Sequence, residues 1–420
     1  MVHQPPAGTR DLLPQDVTQK RWIESRLQQV FQQWGYQRII TPTLERLDTL
    51  VAGGAVRRSA VIQVQSDEES GLGLRPELTA SIARAAVTRL AGSSLPLRLY
   101  YLANVFRPAF QGDRLQQREL FQAGVELLGV GGTLADAEIL HVLADALAEL
   151  GFGQPPLGSW HLVVGEASLT RSLLQPFPKD LREKVRQAIA QLDWVTLESL
   201  PLEPQLRDRA LLLHDLRGQP EQVFAKLQQL TLTPLEQTLR DRLVQLVELY
   251  NASAGPQDSP LLLDLSLLRS FDYYTGVVFE VVYETPTGPW VLAQGGRYDR
   301  LLDVYDPQAA GQPGIGFSCN IENLQQVLLA ANRLPQRPPA IDQLVIPVDA
   351  DAYGAALAEV QRLQRQDQLR VELYLDRDRR PEVVQAFAQR RRIGRIVWVS
   401  SDGAPRTEAV AIAEPAATTC

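Results

Sequence analysis

The chain has 420 residues, 45% hydrophobic and 22% charged, a globular composition long enough to predict one large domain and one smaller domain. No apolar run approaches the roughly 18 residues that cross a bilayer, and the N-terminus lacks an apolar signal region, so we expect a cytoplasmic protein without membrane contact. The net charge of −7 argues against a dedicated nucleic-acid binder, and the two cysteines, Cys319 and Cys420, exclude a disulfide framework or a structural zinc site.

The first elements combine one helix with several strands. Residues 17–34 carry apolar side chains near helical spacing, and Gly35 is well placed to end that helix. The β-branched pair in 39–42, closed by a proline, indicates a strand at a sheet edge or an interface. Denser strand patterns follow at 97–106 and 121–128, and a polar loop joins them.

The middle of the chain is predicted to be mainly helical. Residues 134–255 carry Leu, Ala, Gln and Glu at helical spacing, with a short strand-like patch at 161–164, and we interpret them as a helical insertion. Strand patterns return at 261–265, 277–283 and 290–293. The sequence therefore predicts an α+β core over residues 1–330, with an antiparallel sheet interrupted by helices.

Clustered prolines mark the end of this core. The segment LPQRPP at 334–339 predicts a stiff linker, which we place at 331–340. Residues 341–420 alternate strand and helix as β-α-β-α-β, which is typical of a small α/β domain, and end in an Ala/Thr-rich tail expected to be disordered. The arginine run 390–392 fits a solvated helix end better than a nucleic-acid-binding face.

The segment RPELTA at 75–80 places a carboxylate, Glu77, two residues from a hydroxyl, Thr79. On an extended segment both side chains would share one face of a strand and could receive an ammonium group. A helix that begins near Pro76, with Thr79 close to its cap, is at least as good an interpretation.

A second polar group lies around the strands at 97–106 and 121–128. Arg107 leaves the first strand, while Gln122 and Glu126 are four residues apart and so lie on one face of the second. These three side chains could form a polar pocket. Alternatively, they are surface residues on a solvated face of the sheet.

The segment RSFDYYTGVVFE at 269–280 is more specific. Adjacent Tyr273 and Tyr274 supply an aromatic wall with phenol groups, Gly276 permits close approach of the backbone, and Arg269 is near. The segment AQGGRYDRLLD at 293–303 pairs two glycines with Arg297, so its backbone could approach a ligand, although a plain glycine turn would look the same.

These motifs resemble those of histidyl-tRNA synthetases. GTRDLLP at 8–14, RPELTA, the FR and FQAGVE segments, FDYYTGVVFE, GGRYD and GIGFSCNIENL occur in the order and at roughly the spacing of that family. The resemblance extends to about residue 330, and more loosely to a C-terminal domain of the anticodon-binding type. It implies a class II synthetase core, a mostly antiparallel sheet flanked by helices, that dimerises through the segment ending at Pro42.

The resemblance also implies a histidine-binding site. Glu77 and Thr79 would hold the amino group with help from Gln122, one of two arginines would meet the carboxylate, and Glu126 and Tyr273 would line the imidazole pocket. Such pairings suit the chemistry, because an amine favours a carboxylate and a carboxylate favours arginine. The residues assigned in this way are Glu77, Thr79, Arg107, Gln122, Glu126, Arg269, Tyr273 and Tyr274.

The chain departs from the synthetase pattern where ATP would bind. The family reads GFAxGxERL near the end of the core, whereas this chain has Asn320 at the glycine and Asn323 at the arginine. Pro108 and Ala109 replace the aromatic residue and the glutamate that follow FR in synthetases. Adenylation requires positive charge around the triphosphate. The loss of the arginine at position 323 should therefore cost several kcal/mol of transition-state stabilisation, on the order of the loss caused by removing one preorganised hydrogen-bond donor, or more.

The residues proposed for histidine are retained, while those proposed for ATP are lost. In this pattern the chain resembles the regulatory subunits of ATP phosphoribosyltransferase, which are paralogues of the synthetases. That resemblance implies a subunit without catalytic residues, cofactor or metal, with histidine as effector. It also implies a hetero-oligomer, a hetero-octamer, with a short-form catalytic chain, and tRNA binding is not expected. Two alternatives remain: a divergent synthetase in which Arg297 or Arg114 compensates for Asn323, and a paralogue that senses another ligand.

Overall fold

The computed structural model describes residues 3–54, 56–65, 71–108, 117–158, 160–253, 261–267, 273–306 and 311–411. The chain divides into two compact units, Met1–Leu334 and Pro335–Cys420. The division falls within the stretch where the prolines predict a linker. In the described part of the chain, no helix is both long and apolar enough to span a bilayer.

A large sheet organises the first unit. Its described strands lie in the order β1 (Gln37–Arg38), β5 (Leu97–Phe106), β6 (Glu119–Leu128), β12 (Gly314–Asn320), β11 (Trp290–Arg297), β10 (Val277–Tyr283), β7 (His161–Glu166), β9 (Leu261–Asp264) and β8 (Arg217–Gly218). The β1–β5 and β7–β9 pairs are parallel, and the other neighbours are antiparallel. A small antiparallel sheet lies beside it in the order β2 (Leu44–Arg46), β4 (Leu72–Leu74) and β3 (Ile62–Val64).

Helices cover both faces of the large sheet. The described helices of this unit are α1 (Pro14–Gln33), α2 (Leu47–Val51), α3 (Thr79–Thr88), α4 (Thr133–Glu149), α5 (Ala167–Leu173), α6 (Lys179–Ala190), α7 (Trp194–Ser199), α8 (Pro204–His214), α9 (Pro220–Leu227), α10 (Pro234–Ser253), α11 (Leu301–Tyr305) and α12 (Ile321–Ala330). Short 3₁₀ turns lie at Ala52–Gly54 and Arg58–Ala60.

Strand alternation divides the core into two layers. In β6, Ala123, Val125 and Leu127 face the larger hydrophobic cluster, which contains α1, α4 and α12. Glu126 points to the opposite face, because successive side chains of a strand alternate, and Leu128 on that face joins the second cluster with α3 and α11. The alternation predicted for Gln122 and Glu126 is thus found, and it places both on the second face.

The N-terminal helix and the edge strand agree with the sequence except at their ends. Helix α1 packs on the sheet through Phe31, whose ring lies 5.8 Å from Tyr100 and 6.0 Å from Phe317. Gly35 follows the helix at φ +80°, a conformation that glycine adopts without strain. Strand β1 is indeed at the sheet edge, but it ends before Ile39, and the side chain of Ile40 is 78% exposed.

The prediction of one helical insertion over 134–255 was too simple. Helix α4 packs directly against α1 and α10, and β7 pairs along its length with β10, so both belong to the central layers. The patch at 161–164 is therefore a sheet strand, because its alternate residues Leu162 and Val164 are fully buried in the main core. The run of helices outside the sheet begins after β7.

The second unit contains a four-stranded sheet in the order β14 (Val371–Leu373), β13 (Gln343–Pro347), β15 (Arg395–Val399) and β16 (Pro405–Ala409). Helices α13 (Tyr353–Gln366) and α14 (Pro381–Arg391) form the crossovers between the parallel strands. The sequence missed β16, an antiparallel edge strand, because its residues PRTEA are mostly polar and exposed. Arg390 and Arg391 occupy the last turn of α14, as expected for a solvated helix end.

Candidate functional site

A pocket lies on the second face of the large sheet, where β6, β11 and β12 meet the start of α3. The space enclosed is about 30 Å³, enough for one or two water molecules. Its lining residues are Glu77, Leu78, Thr79, Tyr101, Arg107, Gln122, Glu126, Tyr273, Tyr274, Gln294, Tyr298, Gly316, Phe317 and Ser318. The structure therefore brings together seven of the eight predicted histidine-binding residues, and Arg269 lies outside the described residues.

Glu126 lines the pocket and is 1% exposed. It lies opposite Gly316 in the β6–β12 register, where the absence of a side chain leaves room for the carboxylate. Thr79 Oγ1 donates a hydrogen bond of 2.7 Å to Glu126 Oε1, and the Tyr298 hydroxyl donates to Oε2. Burial raises the pKa of Glu126 to about 8, although both hydrogen bonds act in the opposite direction.

The extended conformation considered for RPELTA is wrong, and the alternative of a helix N-terminus is correct, although the helix begins at Thr79 and not at Pro76. Helix α3 begins at Thr79, and the Glu77 carboxylate accepts hydrogen bonds from the backbone N–H groups of Thr79 (2.6 Å) and Ala80 (2.9 Å). A carboxylate is favoured there because it satisfies otherwise unpaired amides at the positive end of the helix. Burial nevertheless raises the pKa of Glu77, despite these bonds and the nearby Arg107.

The two adjacent tyrosines form a wall between two cavities. The rings of Tyr273 and Tyr274 lie 4.6 Å apart, and Tyr273 meets Tyr298 edge-on at 5.7 Å. Both tyrosines line the small pocket around Glu126, and both also line an outer cleft of about 710 Å³ that contains Arg171 and Arg300.

Two further predicted residues, Arg107 and Gln122, line the pocket. The Nε of Arg107 donates a hydrogen bond of 2.8 Å to the carbonyl oxygen of Pro76, which holds the guanidinium beside Glu77. Gln122 is buried on the same strand face as Glu126. An arginine and an amide here suit the carboxylate and amino ends of an amino acid.

The sequence interpretation missed Tyr298. The prediction for AQGGRYD concerned its glycines and Arg297 and assigned no role to the tyrosine. Its side chain is nevertheless 2% exposed, and its hydroxyl donates a hydrogen bond to Glu126. The alternation of strand side chains contained the signal, because Gln294, Gly296 and Tyr298 follow one another at period two. Gln294 and Tyr298 both line the pocket.

Arg297 points away from the pocket. Its Nε donates a hydrogen bond of 2.7 Å to Asp136 Oδ1 on α4, and its Nη1 lies 3.0 Å from Asp299 Oδ1. The side chain reaches α4 across Gly276, where a Cβ atom would lie 2.9 Å from Arg297 Cδ. The alternative in which Arg297 replaces the missing synthetase arginine is therefore not favoured, because the guanidinium is already paired with Asp136 and Asp299. Arg114, the other candidate, lies outside the described residues.

The two asparagines at the ATP end of the family pattern have structural contacts. Asn320 caps α12, since its Oδ1 accepts a hydrogen bond of 2.9 Å from the Asn323 N–H. The Asn323 side-chain amide donates to the Val291 carbonyl oxygen at 2.8 Å. Between them Glu322 is buried, accepts from the Phe121 N–H, and has a pKa raised to about 7 by burial. At this end of β12 the chain therefore has one acid, Glu322, and two neutral amides, Asn320 and Asn323, and none of these three residues supplies positive charge.

Metal ligands do not cluster in the described part of the chain: no group of three or more His, Cys, Asp or Glu side chains is arranged to hold an ion. Cys319 lies on β12 with its thiol fully buried, and burial raises its pKa to about 12. The chemistry available at the pocket is therefore that of carboxylates, phenols, amides and Arg107.

Solved structures share this architecture. An ATP phosphoribosyltransferase regulatory subunit/histidyl-tRNA synthetase from Bacillus halodurans superposes with a TM-score of 0.78 at 25% identity, over 95% of this chain and 99% of that one. The histidyl-tRNA synthetase from Nostoc sp. gives 0.76 at 19% identity over 97% of each chain, which shows the fold alone. These likenesses confirm the predicted class II synthetase-like α+β fold.

Sequence comparison is more specific. The family model described as histidyl-tRNA synthetase matches residues 8–324. An ATP phosphoribosyltransferase regulatory subunit from Synechococcus elongatus is 96% identical over the whole of both chains. That of Nostoc punctiforme is 52% identical over 98% of this chain and 100% of its own. The chain therefore belongs to the histidyl-tRNA synthetase family and, within it, to the ATP phosphoribosyltransferase regulatory subunits.

Proposed function

We propose that this chain is a regulatory subunit without a catalytic site of its own, which assembles with a short-form ATP phosphoribosyltransferase and transmits feedback by histidine. The observation that carries the proposal is the contrast between two sites of the same fold, the one expected to bind histidine and the one that binds ATP in synthetases. The pocket around Glu126 keeps every described residue that is expected to bind an amino acid. The segment that corresponds to the ATP site of synthetases has neutral Asn323 in place of arginine.

The absence of charge at Asn323 supports a role without adenylation. Stabilisation of a triphosphate requires preorganised cations, and loss of a single donor in such a site costs about 3 to 4 kcal/mol. The amide of Asn323 is engaged by Val291, and Arg297 is engaged by Asp136 and Asp299, so neither is available to ATP. Catalysis of phosphoribosyl transfer would then come from the partner chain.

Feedback requires that histidine bind one state of the assembly more tightly than another. The pocket supplies a carboxylate at Glu77, a hydroxyl at Thr79, a guanidinium at Arg107, and Glu126 with Tyr273. Histidine is larger than the roughly 30 Å³ enclosed, so its entry would shift side chains of this pocket. Such a shift offers a means of transmitting occupancy to a partner.

Exposed apolar side chains support self-association through the N-terminal part of the core. Leu13, Ile40 and Leu44 are 63%, 78% and 42% exposed, and Ile40 follows the short edge strand β1. Exposed apolar side chains of this size are typical of an interface. A dimer through this segment, built into a hetero-octamer with the catalytic chain, is our proposed assembly. We assign Pro335–Cys420 to the anticodon-binding type of domain without an anticodon-binding role.

Reconstitution tests the proposal directly. We expect the purified chain to show no histidine-dependent exchange of pyrophosphate into ATP, and to confer histidine-inhibited phosphoribosyl transfer on a short-form catalytic subunit. Robust pyrophosphate exchange would instead identify a divergent synthetase. Failure to alter the transferase in the presence or absence of histidine would refute the regulatory role.

Replacement of Glu126 by alanine should strongly weaken histidine binding at the pocket. The change removes the acceptor at the base of the site, so we expect at least about thirtyfold weaker binding, on the scale of a lost hydrogen bond to a charged group. Isothermal titration of histidine into the chain, alone and in the reconstituted complex, measures this. Tyr305→Phe is a matched control, because its hydroxyl contacts the Thr49 carbonyl oxygen at 2.9 Å outside the pocket. Equal binding by Glu126→Ala and the intact chain would place histidine elsewhere.

A further inference from the structure

In the described part of the chain, Glu126 is held by hydroxyl groups. Both carboxylate oxygens accept hydrogen bonds from hydroxyls, Oε1 from Thr79 and Oε2 from Tyr298. The charged group that raises the pKa of this carboxyl further is another acid, Glu77. A buried carboxylate without a cation is costly unless something else supplies a positive charge or a proton.

The groups that face Glu126 from the surrounding elements do not supply that charge. They are Glu77 and Thr79 at the start of α3, Tyr101 on β5, Tyr273 and Tyr274 before β10, and Tyr298 after β11. Burial raises the pKa of Tyr101, Tyr273 and Tyr298 well above the usual value, so these phenols keep their protons. Arg107 lies beside Glu77, and its charge lowers the pKa of that carboxyl.

Tyr298 is held in place by close packing and by a backbone hydrogen bond. Its ring packs against Gly314, where any side chain would overlap it, and its backbone N–H donates to the Gly314 carbonyl oxygen at 2.7 Å. The ring also lies edge-on to Tyr273. A phenol fixed in this way holds the carboxylate of Glu126 in one orientation.

We propose that the ring of a bound histidine shares one proton with Glu126, and that Tyr298 is the positioning residue that keeps this carboxylate directed at the ring. The inference rests on the proposed histidine site. With one proton shared, the pair of carboxylate and ring is neutral overall. Without that proton the buried pair keeps a negative charge beside Glu77, and with two protons it becomes positive among groups that are already hydrogen-bonded.

A shared proton makes histidine binding depend on pH in both directions. A free imidazole ring titrates near pH 6.5, and the pKa of Glu126 in the unliganded protein is about 8. At a pH below both pKa values, the imidazole ring and Glu126 each carry the titrating proton, so binding must release one proton. At a pH above both pKa values, neither group carries it, so binding must take up one proton. Affinity is therefore highest between the two, near pH 7, and falls by up to about tenfold per pH unit on either side.

Substitution of Tyr298 changes this profile in a defined direction. The phenol stabilises the charged form of Glu126, so Tyr298→Phe raises the pKa of Glu126 further and moves the alkaline fall in affinity to higher pH. Loss of the orienting bond should also weaken binding about tenfold near pH 7. A role confined to filling space would leave the pH profile unchanged.

The experiment is isothermal titration of histidine into the full chain at about pH 5.5, 7.2 and 8.8, on either side of the two pKa values and between them, in buffers of different ionisation enthalpy. The buffer dependence gives the number of protons exchanged. We expect release of nearly one proton at the lowest pH, little exchange at the middle pH, and uptake of nearly one at the highest. Tyr298→Phe should reduce the alkaline uptake and Glu126→Gln should abolish it, while Tyr305→Phe should match the intact chain. The amino group of histidine titrates identically in every case, so differences between variants report on Glu126.

The outcomes separate this inference from the proposed function. Histidine binding with proton exchange that does not vary with pH, or the same profile for Tyr298→Phe and the intact chain, overturns the shared proton and leaves the histidine site standing. No binding by the intact chain overturns both the inherited site and the shared proton. The regulatory role is then still decided by reconstitution with the catalytic chain.

Discussion

Replacement of Arg297 by methionine is expected to lower the free energy of unfolding of the first unit by about 3 to 5 kcal/mol, the cost of leaving a buried charge unpaired. Arg297 joins the end of β11 to α4 through Asp136, and the two side chains are 7% and 15% exposed. Methionine keeps much of the apolar stem but leaves Asp136 without its cation. Asp299 is 42% exposed, so water can solvate it after the change.

Denaturant unfolding followed by tryptophan fluorescence measures this effect, because five of the six tryptophans precede residue 335. The control is the double variant Arg297→Met with Asp136→Leu, which removes both charges and should recover most of the lost stability. An unfolding midpoint for the single variant equal to that of the intact chain would show that the pair contributes little. A double variant as unstable as the single one would assign the loss to packing rather than charge.

Substitution of Gly316 by alanine should both destabilise the sheet and destroy the pocket. A Cβ atom at this position would overlap the carboxylate of Glu126 and the backbone carbonyl oxygen of Val125. The carbonyl belongs to a paired strand and cannot move away, so we expect a loss of about 3 kcal/mol or more, the upper range for overpacking. Displacement of Glu126 should also reduce histidine binding below detection.

Thermal unfolding and histidine titration of Gly316→Ala test this together. Gly158→Ala is the matched control, since a Cβ atom there would meet no atom within 4 Å, and a change within about 0.5 kcal/mol is expected. If Gly316→Ala unfolded at the temperature of the intact chain and bound histidine normally, the close packing of β12 on Glu126 would be refuted.

Local patterns in the sequence were enough to predict most of the elements. The strands at 97–106 and 277–283 have the predicted ends, because dense β-branched and aromatic residues bounded by polar turns leave little alternative. In the second unit, the predicted alternation of strands and helices is found as β13, α13, β14, α14 and β15. The predicted strand near Ile39 was displaced, because pairing with β5, rather than residue type, sets where β1 ends.

The sequence by itself also determined which residue types surround Glu126, since Glu77, Thr79, Gln122, Tyr273 and Tyr274 could be assigned through their motifs. Tertiary structure decided what each of them does. Only the fold shows that Glu77 caps α3, which depends on where that helix begins.

Only the fold, too, directs Arg297 to Asp136 and its neighbour Tyr298 to Glu126. Motifs record residue types and spacing along one strand. The pairing of side chains depends on distant elements that pack against that strand: Asp136 is 161 residues and Glu126 is 172 residues away in sequence from these partners. Long-range contacts of this kind determine the charge balance of the pocket, and no local pattern contains them.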